Sequence, residues 1–167
     1  MSKLTALAVS IAILGGVWAF LALNPLAGIG LVWVGFIAWG CFFHTGGDSA
    51  ALQKTIAGMS YGAVIAGVAL YLVSSGLLAA LGVLAAPIII AATVFLLVIV
   101  ASINLLSVVP ANVYGYAATA GLALTAGTAA NATVLNLTNP VLLVIISVII
   151  GALFGLASGK LAGVLGK

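Results

Sequence analysis

Charged side chains are almost absent from this chain, and their scarcity limits its fold more than any other feature. The 167 residues include four lysines, no arginine, one acid (Asp48) and one histidine (His44), while 66% are hydrophobic. A soluble domain carries roughly 25% charged residues. The chain therefore cannot present a polar surface to water, and we expect an integral membrane protein.

Apolar runs of spanning length follow one another along the whole sequence, separated by Gly, Pro, Asn and Lys. A membrane-spanning helix needs about 20 predominantly apolar residues. Pro25, Pro87, Pro110 and Pro140 each fall at the start of a run, where proline suits the first turn of a helix. The predicted fold class is all-α, a polytopic membrane helix bundle. Its six predicted transmembrane helices cover residues 4–23, 26–44, 59–83, 87–107, 110–128 and 140–163.

Lysine positions predict the orientation, because cytoplasmic segments retain Lys and Arg. With six spans and a cytoplasmic N-terminus, Lys3, Lys54, Lys160 and Lys167 all fall on the cytoplasmic side. Inserting or deleting one span breaks this agreement. We therefore expect both termini in the cytoplasm.

An internal repeat is suggested when the chain is shifted by 80 positions, which lays residues 35–47 over 115–127. Gly, Ala, Thr and Gly then match at 35/115, 38/118, 45/125 and 47/127, and Asn24 falls on Asn104. Since Gly and Ala are abundant here, coincidence is the alternative explanation. A real repeat divides a single transmembrane domain, 1–167, into halves 1–83 and 84–167. Three spans in each half make the second copy inverted in the membrane, an arrangement that transporters use.

Two connections, residues 45–58 and 125–138, are candidates for interrupted helices. The same shift places Asp48 on Thr128, and both are good N-cap residues that follow glycine. Each connection is predicted to be a glycine break followed by a short helix, either re-entrant or interfacial. Paired interruptions of this kind point to a permeation site. The predicted solute path contains His44, Thr45, Gly46, Gly47, Asp48, Thr125, Gly127, Thr128, Asn104 and Asn112.

These path residues also have simpler interpretations. Asp48 is either an ionisable group at membrane depth, where burial is costly, or a helix cap at the surface. His44 either titrates in a pore or lies in the membrane interface. Asn104 and Asn112 either line a path or hydrogen-bond between helices.

Glycine recurs at every fourth position of the last run, which favours close packing of helices. One helix face then has no side chains and suits contact with a neighbouring helix. We also expect a homo-oligomer, because such faces suit helices better than lipid. The packing positions are Gly151, Gly155, Gly159 and Gly163.

Two segments carry a family resemblance, the run from Trp33 to Gly47 and the run from Val109 to Tyr116. With these aromatic and glycine positions, the chain resembles the YcdZ-like family of small bacterial inner-membrane proteins. The resemblance implies a location in the bacterial inner membrane. It supplies no substrate and no catalytic residues.

The leading functional hypothesis is a channel or facilitated transporter for a small neutral or weakly charged solute. The alternative is a structural or accessory membrane protein that packs against partner subunits through its glycine faces. We expect no enzyme, since one His, one Cys and one Asp do not supply a nucleophile, base and orienting acid. No metal and no cofactor are expected, and isolated lysines indicate no nucleic-acid partner. The expected partners are the lipid bilayer, further copies of the chain and an unidentified solute.

Overall fold

A computed structural model of the protein describes residues 1–166, which form helices and turns. Lipid offers backbone N–H and C=O groups no partner, so apolar segments of this kind form helices. No strand occurs within residues 1–166, and the all-α prediction is confirmed. Lys167, which contributed to the topology prediction, lies outside the described residues. The α-helices are α1 (Lys3–Leu23), α2 (Val32–His44), α3 (Ser49–Ser74), α4 (Ala85–Ile99), α5 (Val109–Thr125) and α6 (Pro140–Leu165). The 3-10 helices are Ala79–Leu84, Val100–Ser102, Asn104–Leu106 and Ala129–Thr133.

Within residues 1–166, four segments are long and apolar enough to cross a membrane. They are Lys3–Leu23, Ser49–Ser74, Ala79–Ser102 and Pro140–Leu165. The apolar helix α2 has 13 residues, and a helix of that length measures about 20 Å against a hydrocarbon thickness of about 30 Å. Helix α5 has 17 residues. The lengths are consistent with a membrane protein, but two of the six predicted spans are short.

The boundaries of the second and third predicted spans are wrong. Residues 24–29 form turns, so Pro25 lies outside any helix and α2 begins only at Val32. Helix α3 begins at Ser49 instead of 59 and ends at Ser74 instead of 83. The chain then turns through Gly76, whose φ of 69° favours glycine. The other three prolines do lie in the first turns of α4, α5 and α6.

The short helices predicted after the two glycine breaks also differ from the structure. The carboxylate of Asp48 accepts the backbone N–H of Ala51 at 2.7 Å, but the helix that it caps is the 26-residue α3. Thr128 precedes the five-residue 3-10 helix and makes no side-chain cap hydrogen bond. Helix α6 is instead preceded by Asn139, whose side-chain oxygen accepts the N–H of Val141 at 2.8 Å. Only the second connection therefore contains a short helix.

One compact unit comprises residues 1–56 and the chain from Ile146 onward. Its core is aromatic, with the ring of Phe154 centred 5.8 Å from Trp18 and 5.9 Å from Trp39. Helices α2 and α6 touch through their backbones, because a Cβ on Gly151 would overlap the backbone of Gly35. The indole of Trp18 packs on Gly35 from another side. We call this unit 1.

The other compact unit comprises residues 57–145 and contains α4, α5 and most of α3. Here α3 and α5 cross with their backbones in contact. A Cβ on Gly115 would overlap the carbonyl oxygen of Met59, and a Cβ on Gly62 would overlap that of Asn112. We call this unit 2. Glycine thus lets two helices approach to backbone contact in each unit.

The crossing glycines of α2 and α5 correspond under the 80-residue shift. Gly35 contacts α6 within unit 1, and Gly115 contacts α3 within unit 2. Each unit therefore combines two helices from one half of the chain with most of the third helix of the other half. This correspondence is compatible with a repeat of halves 1–83 and 84–167, which stays a prediction.

Replacing Gly115 with alanine is expected to destabilise the protein, because the added methyl group overlaps the carbonyl oxygen of Met59. Overpacking of this kind costs about 1–3 kcal/mol of unfolding free energy. The matched control is Gly121→Ala on the same helix, where a Cβ has no neighbour within 4 Å. Melting of purified protein in mild detergent measures the difference. Equal melting temperatures for both variants would contradict the close crossing.

Candidate functional site

The first predicted stretch of the solute path lies at the surface of unit 1. His44 ends α2, and the side chains of His44 and Asp48 are exposed. The hydroxyl of Thr45 donates to the carbonyl of Cys41 at 2.8 Å. The glycines at 46–47 have φ values of 125° and 71°, which allow the chain to turn from α2 into α3. Polar groups of this connection thus bond to neighbouring backbone.

The second predicted stretch lies at the end of α5 in unit 2 and is also largely exposed. The hydroxyl of Thr125 donates to the carbonyl of Gly121 at 2.7 Å. Gly127 has a φ of 65°. The backbone N–H of Thr128 donates to the carbonyl of Ala123 at 2.9 Å. In both stretches, a glycine with positive φ therefore lies just after the end of a helix and allows the chain to turn.

The two predicted path asparagines have opposite environments. Asn104 is exposed, whereas Asn112 is fully buried in the first turn of α5. The side-chain nitrogen of Asn112 donates to the carbonyls of Leu97 at 2.9 Å and Leu106 at 3.1 Å. These carbonyls belong to the last turn of α4 and to the 3-10 helix Asn104–Leu106, the second of the two between α4 and α5. The two hydrogen bonds of Asn112 therefore stabilise the interrupted segment between α4 and α5.

Two buried oxygen atoms on α5 have no hydrogen-bond partner within residues 1–166. They are the side-chain Oδ1 of Asn112 and the hydroxyl Oγ1 of Thr119. Both side chains are 0% exposed. They lie seven residues apart, which places them on one face of the helix, with Gly115 between them. A Cβ on Gly58 would lie 2.8 Å from Oδ1, so the Asn112 amide faces α3.

A hydroxyl pair joins α4 to α5 beside this face. The oxygen of Thr93 lies 2.9 Å from the carbonyl of Ile89 and 3.0 Å from that of Ile90. It is also 3.0 Å from the phenolic oxygen of Tyr116. Because carbonyls only accept, the hydrogen of Thr93 goes to one of them and Tyr116 donates to Thr93. Unit 2 thus holds amide, hydroxyl and phenol groups within one three-helix assembly.

Unit 1 contains its own buried polar contacts. Ser10 donates to the carbonyl of Ser158 at 2.7 Å, and the indole N–H of Trp39 donates to the Ser158 hydroxyl at 2.9 Å. The N–H of Leu31, at the extended entry to α2, donates to the hydroxyl of Ser147 at 2.9 Å. Neutral side chains therefore fix the start of α2 here, as Asn112 fixes the start of α5 in unit 2.

Sequence reasoning missed most of these buried hydroxyl groups. A Ser or Thr inside an apolar helix has no distinctive pattern, and only the structure shows whether it faces lipid or a neighbouring helix. Asn112 was found because an amide in hydrocarbon needs a partner. The missed positions are the hydroxyl groups of Ser10, Thr55, Thr93, Thr119, Ser147 and Ser158, together with the amide of Asn139.

Ionisable groups are distributed differently from the neutral polar groups. Within residues 1–166, no Lys, Asp or His side chain is buried, and only Lys54 is partly covered. Every fully or nearly fully buried polar side chain of that part is an amide or a hydroxyl. The interior of each unit is thus polar at a few points and uncharged throughout.

The glycine face of α6 is largely occupied within unit 1. A Cβ on Gly155 would lie 2.9 Å from Phe42 and 3.2 Å from Trp39, and a Cβ on Gly159 would lie 3.7 Å from Phe43. Only Gly163, the last of the four, has no neighbour within 4 Å of such a Cβ. Most of the face therefore packs inside the chain and is not left for a partner.

Comparison with known families gives one match. The family described as Protein of unknown function (DUF1097) matches residues 8–163. The chain belongs to the DUF1097 family. No curated protein and no solved structure matches it. The DUF1097 match includes both helix crossings and both connections, and it assigns no activity to them.

Replacing Asn112 with alanine is expected to destabilise unit 2, because the carbonyls of Leu97 and Leu106 lose their donor. A buried polar group without a partner costs about 1–3 kcal/mol. The control is Asn104→Ala, at an exposed side chain. Denaturation by sodium dodecyl sulfate, followed by circular dichroism, measures both changes. If the two variants unfold at the same detergent fraction, Asn112 does not stabilise the segment between α4 and α5.

Proposed function

We propose that the protein is a membrane channel or facilitated transporter for a small neutral or weakly charged solute. The observation that carries the proposal is the pair of unpartnered buried oxygens, Oδ1 of Asn112 and Oγ1 of Thr119. Each unpaired buried polar group costs about 1–3 kcal/mol. Native proteins retain few such groups, and each calls for an explanation. Both atoms face the closely packed side of α5, so a solute that donates hydrogen bonds supplies the missing partners only when α3 and α5 separate there.

The distribution of charge favours an uncharged solute. An ion leaving water needs charged groups or a ring of carbonyls to replace its hydration shell. The side chains buried in each unit offer amides and hydroxyls instead. Asp48 and His44 are exposed, so they are suited to the mouth of a path and not to its interior.

The helix breaks support the same proposal. Helix α2 follows turns at 24–29, and α5 follows two 3-10 helices at 100–106. Irregular backbone at membrane depth is tolerated where protein or a water-filled cavity satisfies it. The bonds from Leu31 to Ser147 and from Asn112 to Leu97 meet this need. The interruptions thus precede the second helix of each half, where discontinuous helices of transporters frame solute sites.

We also retain an inverted repeat as part of the proposal. Gly47 and Gly127, which the 80-residue shift pairs, have φ values of 71° and 65°. Gly35 and Gly115, also paired, lie at backbone crossings of their respective units. We further propose a YcdZ-like protein of the bacterial inner membrane with cytoplasmic termini. The proposed homo-oligomer then forms through a surface other than the α6 glycine face, most of which packs inside the chain. The accessory-protein alternative is weakened because most of the α6 glycine face packs internally.

Solute flux tests the function directly. Vesicles containing the purified protein are expected to admit urea or glycerol faster than protein-free vesicles, as measured by light scattering after rapid mixing. Potassium flux in the same vesicles is expected to stay at the protein-free level. Neutral-solute rates equal to those of protein-free vesicles would overturn the proposal.

Asp48→Asn tests whether the first connection belongs to the path. Asparagine is also a good N-cap, so the variant removes the charge of an exposed side chain while α3 keeps its start. We expect an altered urea rate and an unchanged elution volume. An unchanged rate removes residues 45–48 from the proposed path.

A further inference from the structure

The last turn of α4 is hydrogen-bonded to both of its neighbours in unit 2 through consecutive carbonyls. The carbonyl of Leu96 accepts the phenol O–H of Tyr61, on α3, at 3.0 Å. The carbonyl of Leu97 accepts the side-chain nitrogen of Asn112, on α5, at 2.9 Å. The last four carbonyls of a helix have no partner within it, so both are available for these bonds. The end of α4 therefore bridges α3 and α5.

Helix α5 is bonded more firmly to α4 than to α3. Besides the bond from Asn112, the phenol of Tyr116 donates to the hydroxyl of Thr93 on α4 at 3.0 Å. Within residues 1–166, no hydrogen bond joins α3 directly to α5, and the two helices meet through their backbones at Gly62 and Gly115. Helices α4 and α5 thus form a bonded pair. In that same part of the chain, Tyr61 supplies the one hydrogen bond from α3 to this pair.

The contact between α3 and α5 leaves two buried oxygens of α5 without partners. A Cβ on Gly58 of α3 would lie 2.8 Å from Oδ1 of Asn112, and Oγ1 of Thr119 lies two turns further along the same face of α5. Both atoms would gain a hydrogen bond if water or a solute entered between the helices. The unpaired oxygens therefore favour separation of the two helices, which the backbone packing and the Tyr61 bond oppose.

We propose that α3 separates reversibly from the α4–α5 pair, and that the hydrogen bond from Tyr61 to Leu96 stabilises the closed arrangement. Separation exposes Asn112 and Thr119, so the movement controls access to the proposed solute path. The inference rests on the proposed transport function and adds a gate to it. Glycine suits such a contact, because no side chain of Gly62 or its partners has to be withdrawn from between the helices.

The variant Tyr61→Phe removes the phenol hydroxyl and keeps the ring, so it weakens the closed arrangement. Access to the contact is measured with Thr119→Cys in a Cys41→Ala background, which removes the single native cysteine. The full-length protein in lipid nanodiscs is treated with a small water-soluble thiol reagent. Tyr61→Phe is expected to raise the reaction rate about fivefold, which corresponds to a hydrogen bond of about 1 kcal/mol.

The matched control is Tyr71→Phe, which removes the same hydroxyl from α3 at a side chain that is 54% exposed. Within residues 1–166, the phenol of Tyr71 makes no hydrogen bond, so its removal is expected to leave the Thr119→Cys rate unchanged. General loosening is checked with Ser10→Cys, at a 0% exposed position of unit 1. Its slow reaction is expected to be the same with and without Tyr61→Phe.

A second reporter, Ala111→Cys, covers the case in which Thr119→Cys does not fold, as judged by elution volume. Ala111 is 0% exposed, and a Cβ on Gly58 would lie 2.8 Å from its methyl group, so it belongs to the same contact. The same increase is expected there. Reporter rates that Tyr61→Phe leaves unchanged, or that Tyr71→Phe raises equally, overturn the proposal.

Thiol access is measured without flux, so the movement and the transport function can fail separately. If Tyr61→Phe raises the reporter rates and also the urea rate of vesicles, both proposals are supported. If it raises the reporter rates while the urea rate stays at the protein-free level, the movement is supported and the transport proposal is overturned.

Discussion

Backbone contact between helices at glycine is the constraint on which each unit depends. In unit 1, Gly151 of α6 meets Gly35 of α2, and in unit 2, Gly115 of α5 meets the carbonyl of Met59 on α3. Helices in lipid gain nothing from hiding apolar surface, so close packing and hydrogen bonds must hold them together. The small residues provide that packing. The buried hydroxyl and amide groups then find partners within reach, such as Ser158 for Trp39 and Leu97 for Asn112.

The same tight packing explains why the polar interior is uncharged. An ionised side chain at a backbone crossing would lose its hydration with little room for a counter-ion, whereas an amide or hydroxyl needs one or two hydrogen bonds. Asn112 has two of its hydrogen bonds and lacks a partner at Oδ1. Thr119 lacks one at Oγ1. The proposed neutral solute follows from those two atoms and from the surface position of Asp48.

Part of this architecture was predictable from sequence, and the reasons are physical. The apolar runs require helices because lipid cannot satisfy the backbone, and the spacing of Gly151 and Gly155 indicates close packing. The start of α3 was missed because Gln53 and Lys54 made its first turns look like a connection. The length of α2 was overestimated because the turns at 24–29 are as apolar as a helix.

The candidate site was less accessible to sequence reasoning. Asn112 stood out as an amide in an apolar run, but Thr119 became notable only when its burial and lack of a partner were known. The open apolar groove between α3, α4 and α5 depends on which alanines face one another, and hydropathy cannot distinguish an alanine that lines a groove from one that packs.

Two solutes of nearly equal shape and different charge test most directly whether the uncharged interior conducts an uncharged solute. Acetamide and acetate, compared at alkaline pH in vesicles containing the protein, form such a pair. The protein is expected to raise the acetamide rate above that of protein-free vesicles and to leave the acetate rate unchanged, because its buried polar groups are amides and hydroxyls. Acetate entry accelerated as much as acetamide entry would contradict that claim.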